Sequence, residues 1–203
     1  MIILIIMVSL HRIKLITKPF WIPAITGMYL LLTDSPDPLV LTALIFGYIG
    51  DLLLMRSRKS WFIAGALSFL VGHLFYIAVF IIDSGGLAVF KEHPLLCTVM
   101  LLPYILFALF FKKFIGPNVS SIFYPAAFYL SVLLLMSYSA LLRIWSVPSP
   151  SFILTFSGSL LFIISDSLIG VRKLKTKFRG MGTIIVVTYL AAQIMIICGI
   201  TAG

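Results

Sequence analysis

"SFILTFSGSLLFIISDSLIGV", residues 151–171, is followed at once by Arg172, Lys173 and Lys175. At 1.5 Å per residue this stretch makes a helix of about 31 Å, enough to cross a hydrocarbon layer of about 30 Å. One carboxylate, Asp166, lies inside it. "FGYIGDLLLM", residues 46–55, has the same character around Asp51. Such runs recur along all 203 residues of a chain that is 62% hydrophobic and 10% charged. A soluble domain carries about 25% charged residues. A mean hydropathy of +1.19 agrees. The runs are continuous, whereas a β-barrel requires alternation of apolar and polar positions. The expected fold is therefore all-α: a polytopic transmembrane helical bundle forming a single domain over residues 1–203.

Apolar segments fall at about 1–16, 19–33, 39–55, 61–82, 95–111, 119–142, 151–171 and 182–200. "TDSPDP", "DSGG", "FIGPN", "SVPSP" and "RGMG" break the chain between them. The opening "MIILIIMVSL" provides only about 15 Å of helix before His11 and Arg12. Eight helices are expected, or seven if segment 1–16 does not span. Its basic residues follow the apolar run, which is not the order of a standard signal peptide.

The charges sort by connection. Arg12, Lys14 and Lys18 precede the second segment; Arg56, Arg58 and Lys59 follow the third; Lys112 and Lys113 follow the fifth. Arg172, Lys173, Lys175, Lys177 and Arg179 follow the seventh. Alternate connections lie on one side of a membrane, and this side holds all of the 15 Lys and Arg except Lys91 and Arg143. The positive-inside rule makes it cytoplasmic. Asp34, Asp37, Asp83 and Glu92 fall on the other side. Topology thus accounts for most of the net charge of +9, with attraction to anionic lipids as a further contribution, and no nucleic-acid partner is needed. No obligatory protein partner is expected. Cys97 and Cys198 read as two buried thiols.

Asp51 and Asp166 remain inside apolar segments. A carboxylate near the bilayer centre costs about 2.5–3.5 kcal/mol, so such residues usually have a function. Each lies about 6–8 Å from the cytoplasmic end of its segment. The alternative is that each carboxylate pairs with a basic residue of the adjoining loop or snorkels to the interface. Phe69, His73 and Tyr76 share one helix face, and Tyr189 and Gln193 form an i, i+4 pair. His73 can also be a simple interhelical hydrogen-bonder, and Gln193 a glue between helices. Gly65 and Gly72 mark close helix packing. Tyr104, Tyr124, Tyr129 and Tyr138 cannot be sorted between anchor, core and site. His11, His73 and His93 are dispersed, with no H-x-x-x-H or C-x-x-C, so no metal site is expected.

Two carboxylates in a poorly solvated site need not both ionise. One can hold a proton while the other accepts one, which suits general acid–base cleavage of an acid-labile bond. Peptide bonds, glycosidic bonds and vinyl ethers all qualify. An intramembrane aspartyl protease and a proton-coupled transporter are the rival classes. The first wants G-x-G-D where this chain has "YIGD", and the second usually shows internal repeats, which are not evident here.

"KPFWIP" (18–23), "GYIGDLLLM" (47–55), "GALSFLVGHLFY" (65–76), "GSLLFIISDSLIG" (158–170) and "TYLAAQ" (188–193) stand in order along the chain. Together they resemble the YhhN-type lysoplasmalogenase family of multi-pass membrane proteins. The resemblance implies hydrolysis of the vinyl-ether bond of an alkenyl-lysophospholipid, without metal or organic cofactor. The catalytic pair would be Asp51 and Asp166. Lys18, His73, Tyr76, Tyr189 and Gln193 would bind substrate, with the alkenyl chain running past Phe69 and Tyr76. The location implied is a bacterial cytoplasmic membrane.

Overall fold

The computed structural model describes residues 19–116 and 120–203, with the side chains of residues 120–123 excepted. These residues form eight α-helices: α1 Pro19–Leu32, α2 Pro38–Leu54, α3 Lys59–Asp83, α4 Ala88–Glu92, α5 Pro94–Ile115, α6 Ser120–Leu142, α7 Ser149–Leu174 and α8 Met181–Thr201. A 3-10 turn, Arg143–Trp145, follows α6. The all-helical expectation is met. Seven of the expected apolar segments each become a helix, and segment 1–16 lies outside the described residues. The five-residue α4 was expected to be loop.

The chain divides into two compact units, Met1–Gly72 and His73–Gly203, with the boundary inside α3. In the first unit α1 buries Ile22, Ile25 and Tyr29, and α2 buries Val40, Ala43 and Leu44. Pro38 occupies the first turn of α2, where its missing N–H costs nothing. Asp37 caps that helix by accepting a hydrogen bond from the Leu39 N–H at 2.7 Å. The Asp37 N–H in turn donates to the Tyr29 hydroxyl at 2.9 Å. The expected close packing at Gly65 and Gly72 is present. A Cβ on Gly72 would lie 3.1 Å from the Ala43 carbonyl oxygen, and one on Gly65 would lie 2.9 Å from Leu54. The Ser68 hydroxyl donates to the Phe46 carbonyl at 2.6 Å, a further tie between α2 and α3.

In the second unit α7 has its most extensive contact with α8, and α6 packs on α7. One face of α7 carries Ser151, Thr155, Gly158, Ser159, Phe162 and Ser165, all buried and spaced by three or four residues. Small side chains there let the two backbones meet. A Cβ on Gly158 would lie 2.9 Å from the Ala192 carbonyl oxygen. Ser151 donates to the Gly199 carbonyl at 2.6 Å, and Ser165 to the Ile185 carbonyl at 3.0 Å. Across α5, α6 and α7, the Tyr104, Ser137 and Ser159 hydroxyls form a chain of 3.1 and 2.8 Å contacts. The outward faces are apolar: Leu95, Leu106 and Phe110 of α5 and Phe128 of α6 are exposed. Five helices, α3 and α5 to α8, contain stretches long and apolar enough to cross a membrane. Both cysteines are free thiols, with Cys97 buried.

Candidate functional site

Four helices of the second unit bring polar side chains into its interior. α7 supplies Asp166, α6 Tyr129, α3 His73 and Tyr76, and α8 Tyr189 and Gln193. On α6, Leu133, Met136, Ser137 and Ala140 are buried. They stand four, seven, eight and eleven residues beyond Tyr129, which places Tyr129 on the inward face of that helix.

The Tyr129 hydroxyl donates to Asp166 Oδ2 in a short hydrogen bond. His73 Nε2 lies 3.3 Å from the same hydroxyl and 3.6 Å from Asp166 Oδ2. A phenol has one proton; with that proton on the carboxylate side, the imidazole tautomer that completes the contact is the one with hydrogen on Nε2. The chain of donors runs from His73 through Tyr129 to Asp166. Among the described residues the partners of Asp166 are Tyr129 and His73, and no lysine or arginine. The bland expectation of a loop cation neutralising this carboxylate therefore finds no support in the second unit.

Aromatic rings fix the imidazole. His73 stands edge-on to Phe162 at 4.8 Å and 90°, and Phe162 stands edge-on to Tyr189 at 5.5 Å and 87°. Such geometry suits opposed ring quadrupoles and holds each ring in one orientation. Beside this column the Tyr76 hydroxyl donates to Gln193 Oε1 at 2.9 Å. Tyr76 is stacked on Phe80 at 5.9 Å. The His73 side chain is 2% exposed and the Asp166 side chain 9%, and Tyr129 is half-buried, so the open edge of the group lies at the carboxylate and the phenol.

Of the residues expected from sequence, His73, Tyr76, Asp166, Tyr189 and Gln193 thus belong to one region of the second unit. Asp51 belongs to the first unit, buried near the end of α2 with 2% exposure. Its neighbour Gly50 faces the Phe69 ring, which a Cβ there would meet at 2.7 Å. Phe69 is therefore a packing residue of the α2–α3 contact. Lys18 lies outside the described residues. Tyr129 is the participant that sequence reading did not single out. Its helical register with Ser137 and Ala140 marks the inward face of α6 but not the carboxylate that it meets.

The structure also sorts the other tyrosines. Tyr104 and Tyr138 are core residues, the latter donating to the Cys97 carbonyl at 3.0 Å, and Tyr124 is exposed.

The profile of the YhhN family matches residues 13–200. The chain is also similar to a Bos taurus protein named "Lysoplasmalogenase TMEM86A", with 29% identity over 174 residues, covering 84% of this chain and 68% of the relative. No solved structure matches it. With its apolar outward faces and its span-length helices, the molecule is an integral membrane protein.

Proposed function

We propose, from the premise that this chain belongs to the YhhN family, that it is a hydrolase cleaving the vinyl-ether bond of alkenyl-lysophospholipids. The products are a fatty aldehyde and glycerophosphoethanolamine or glycerophosphocholine. The name of the bovine relative supports the substrate class. The observation that carries the chemistry is Asp166: a carboxyl group within a span, hydrogen-bonded by a phenol and an imidazole, without a fixed cation beside it among the described residues.

A vinyl ether is cleaved by protonation of its β-carbon. The carbon–carbon double bond supplies the electron pair, and an oxocarbenium ion results. Water adds to that ion and loses a proton, giving a hemiacetal. The hemiacetal collapses to aldehyde and alcohol as its hydroxyl proton leaves and the glycerol oxygen gains one. General acid and general base are both needed, and carboxyl groups serve in both roles on acetal-like bonds. Asp51 and Asp166 are assigned these roles. His73, Tyr76, Tyr189 and Gln193 orient the water and the glycerol oxygens, and Lys18 meets the phosphate. The basic ends of α5 (Lys112, Lys113) and α7 (Arg172, Lys173) face the cytoplasm of a bacterial inner membrane, in accord with the positive-inside rule. A lysolipid of the inner leaflet then keeps its phosphate at the surface and its ether linkage just below.

Incubation of the purified chain with matched alkenyl- and acyl-lysolipids tests the reading. Free aldehyde from the alkenyl substrate alone is the expected result. Release of fatty acid from the acyl substrate without any aldehyde would refute it.

A further inference from the structure

The donor chain of the second unit has a directional property that the hydrolase reading leaves unused. Asp166, Tyr129 and His73 come from three different helices, α7, α6 and α3, and all three meet at one phenolic oxygen. A bridging hydroxyl can accept a proton on one side while releasing its own on the other. The imidazole can take a proton at Nδ1 and release the one at Nε2.

We propose that Tyr129 is a proton-relay and positioning residue that recharges Asp166 from His73, which makes Asp166 the general acid. This rests on the hydrolase reading for its place in turnover. Asp166 breaks its O–H bond to protonate the β-carbon and becomes a carboxylate. The observed arrangement, with Tyr129 donating to that carboxylate and His73 Nε2 directed at Tyr129, is the state poised for return. The Nε2 hydrogen passes to the Tyr129 oxygen as the Tyr129 hydrogen passes to Oδ2. A proton enters His73 at Nδ1 as the Nε2 hydrogen leaves, and hydration of the oxocarbenium ion releases one proton, so charge balances; before the next turnover the Nδ1 hydrogen is lost to water and a proton from water returns to Nε2. The other tyrosines of the region, Tyr76 of α3 and Tyr189 of α8, have other contacts. Tyr76 donates to Gln193, and Tyr189 packs on Phe162. No lysine or arginine of α3, α6, α7 or α8 contacts Asp166 among the described residues. The Phe162 and Tyr189 rings hold the imidazole on its side of the phenol, a restraint that a freely rotating acceptor would lack.

The test compares Tyr129→Phe with Tyr104→Phe in the purified full-length chain. Tyr104 also uses its hydroxyl, but on Ser137. Tyr129→Phe should lower kcat about a hundredfold with KM nearly unchanged, and should turn a curved proton inventory in mixed H2O and D2O into a straight one. Tyr104→Phe should leave both alone. A Tyr129→Phe protein within about threefold of wild-type kcat would overturn the relay.

Infrared spectroscopy of the substrate-free protein gives a second measurement. At one fixed pH the carboxyl band lost in Asp166→Asn should shift in Tyr129→Phe and keep its place in Tyr104→Phe. An unshifted band in Tyr129→Phe would refute the relay, because the phenol would then hold no hydrogen bond to Asp166. This outcome does not depend on substrate. Absence of aldehyde from the wild type would defeat the hydrolase reading, and the infrared comparison would still decide the relay.

Discussion

At one end of the second unit, Asp83 of α3 meets Arg143 at 2.9 Å. Inside the same unit, Asp166 meets only Tyr129 and His73 among the described residues. Arg143 is almost wholly buried. It donates to Thr155 at 2.5 Å and to Ser151 at 3.1 Å, and its guanidinium lies 5.5 Å from the centre of the Phe80 ring. Ser151 continues the chain to the Gly199 carbonyl. The ends of α3, α6, α7 and α8 are thereby tied by one cation. A carboxylate with a guanidinium beside it has its charge fixed, because protonating it would strand the arginine in a poorly solvated place. A carboxylate held by a phenol and an imidazole has no such constraint. The first arrangement is a fastening. The second leaves a proton free to move.

The contrast can be broken or refined in five places. The largest effect should come from Asp166→Asn, which keeps shape and removes the proton site: aldehyde release should fall by about 10²–10⁴, with the protein still inserting in membranes. Asp51→Asn should fall in the same range if Asp51 is the second carboxyl of the reaction. Arg143→Met should act in the other currency. It removes the guanidinium from Asp83, Ser151 and Thr155 and should lower stability by about 3 kcal/mol, the low end for a buried pair because Asp83 keeps 31% exposure, while kcat of the folded fraction stays near wild type. Chemical unfolding in detergent measures the loss, and the double variant Arg143→Met, Asp83→Leu should recover much of it. A large fall in kcat for Arg143→Met without loss of stability would erase the distinction between the two ends. Gly158→Ala forces a methyl group toward the Ala192 carbonyl and should cost about 1–3 kcal/mol, read as a lower thermal midpoint. Tyr76→Phe removes the interhelical hydrogen bond to Gln193 and should cost about 0.6 kcal/mol of stability, the smallest stability change of the series.

Much of this contrast is visible in the sequence, in uneven measure. The long apolar runs foretell the helices because backbone groups inside a bilayer must bond within their own segment. The helix ends are less legible. α7 continues to Leu174, past the apolar limit at residue 171, because Arg172 and Lys173 suit the last turn of a helix and can extend toward head groups. Lys175, just beyond, donates to the Phe114 carbonyl at 2.6 Å at the end of α5. α4 escapes sequence reading because five residues carry no periodicity; its neighbour His93 is held by stacking on Trp145 at 4.5 Å. Arg143 stands out in the sequence as an exception to the charge asymmetry, and its reason is a partner sixty residues earlier. Asp83 and Arg143 fall on the same side in the alternating reading, which the ion pair requires. For the site, the helical spacing of His73 and Tyr76 and of Tyr189 and Gln193 carries real information about shared faces. Which tyrosine reaches Asp166 does not follow from spacing on one helix. It depends on the facing of α6 against α7, a tertiary fact.

The glycine and serine seam of α7 has a mechanical corollary. Where two backbones touch at Gly158 and Ala192, no intervening layer of side chains exists to slide or repack. Sliding α7 past α8 would have to break contact between main chains, whereas displacing α6 or α3 meets side-chain packing only at the level of the site. The phenol on α6 would thus feel arrival of a guest before the carboxyl on α7 does.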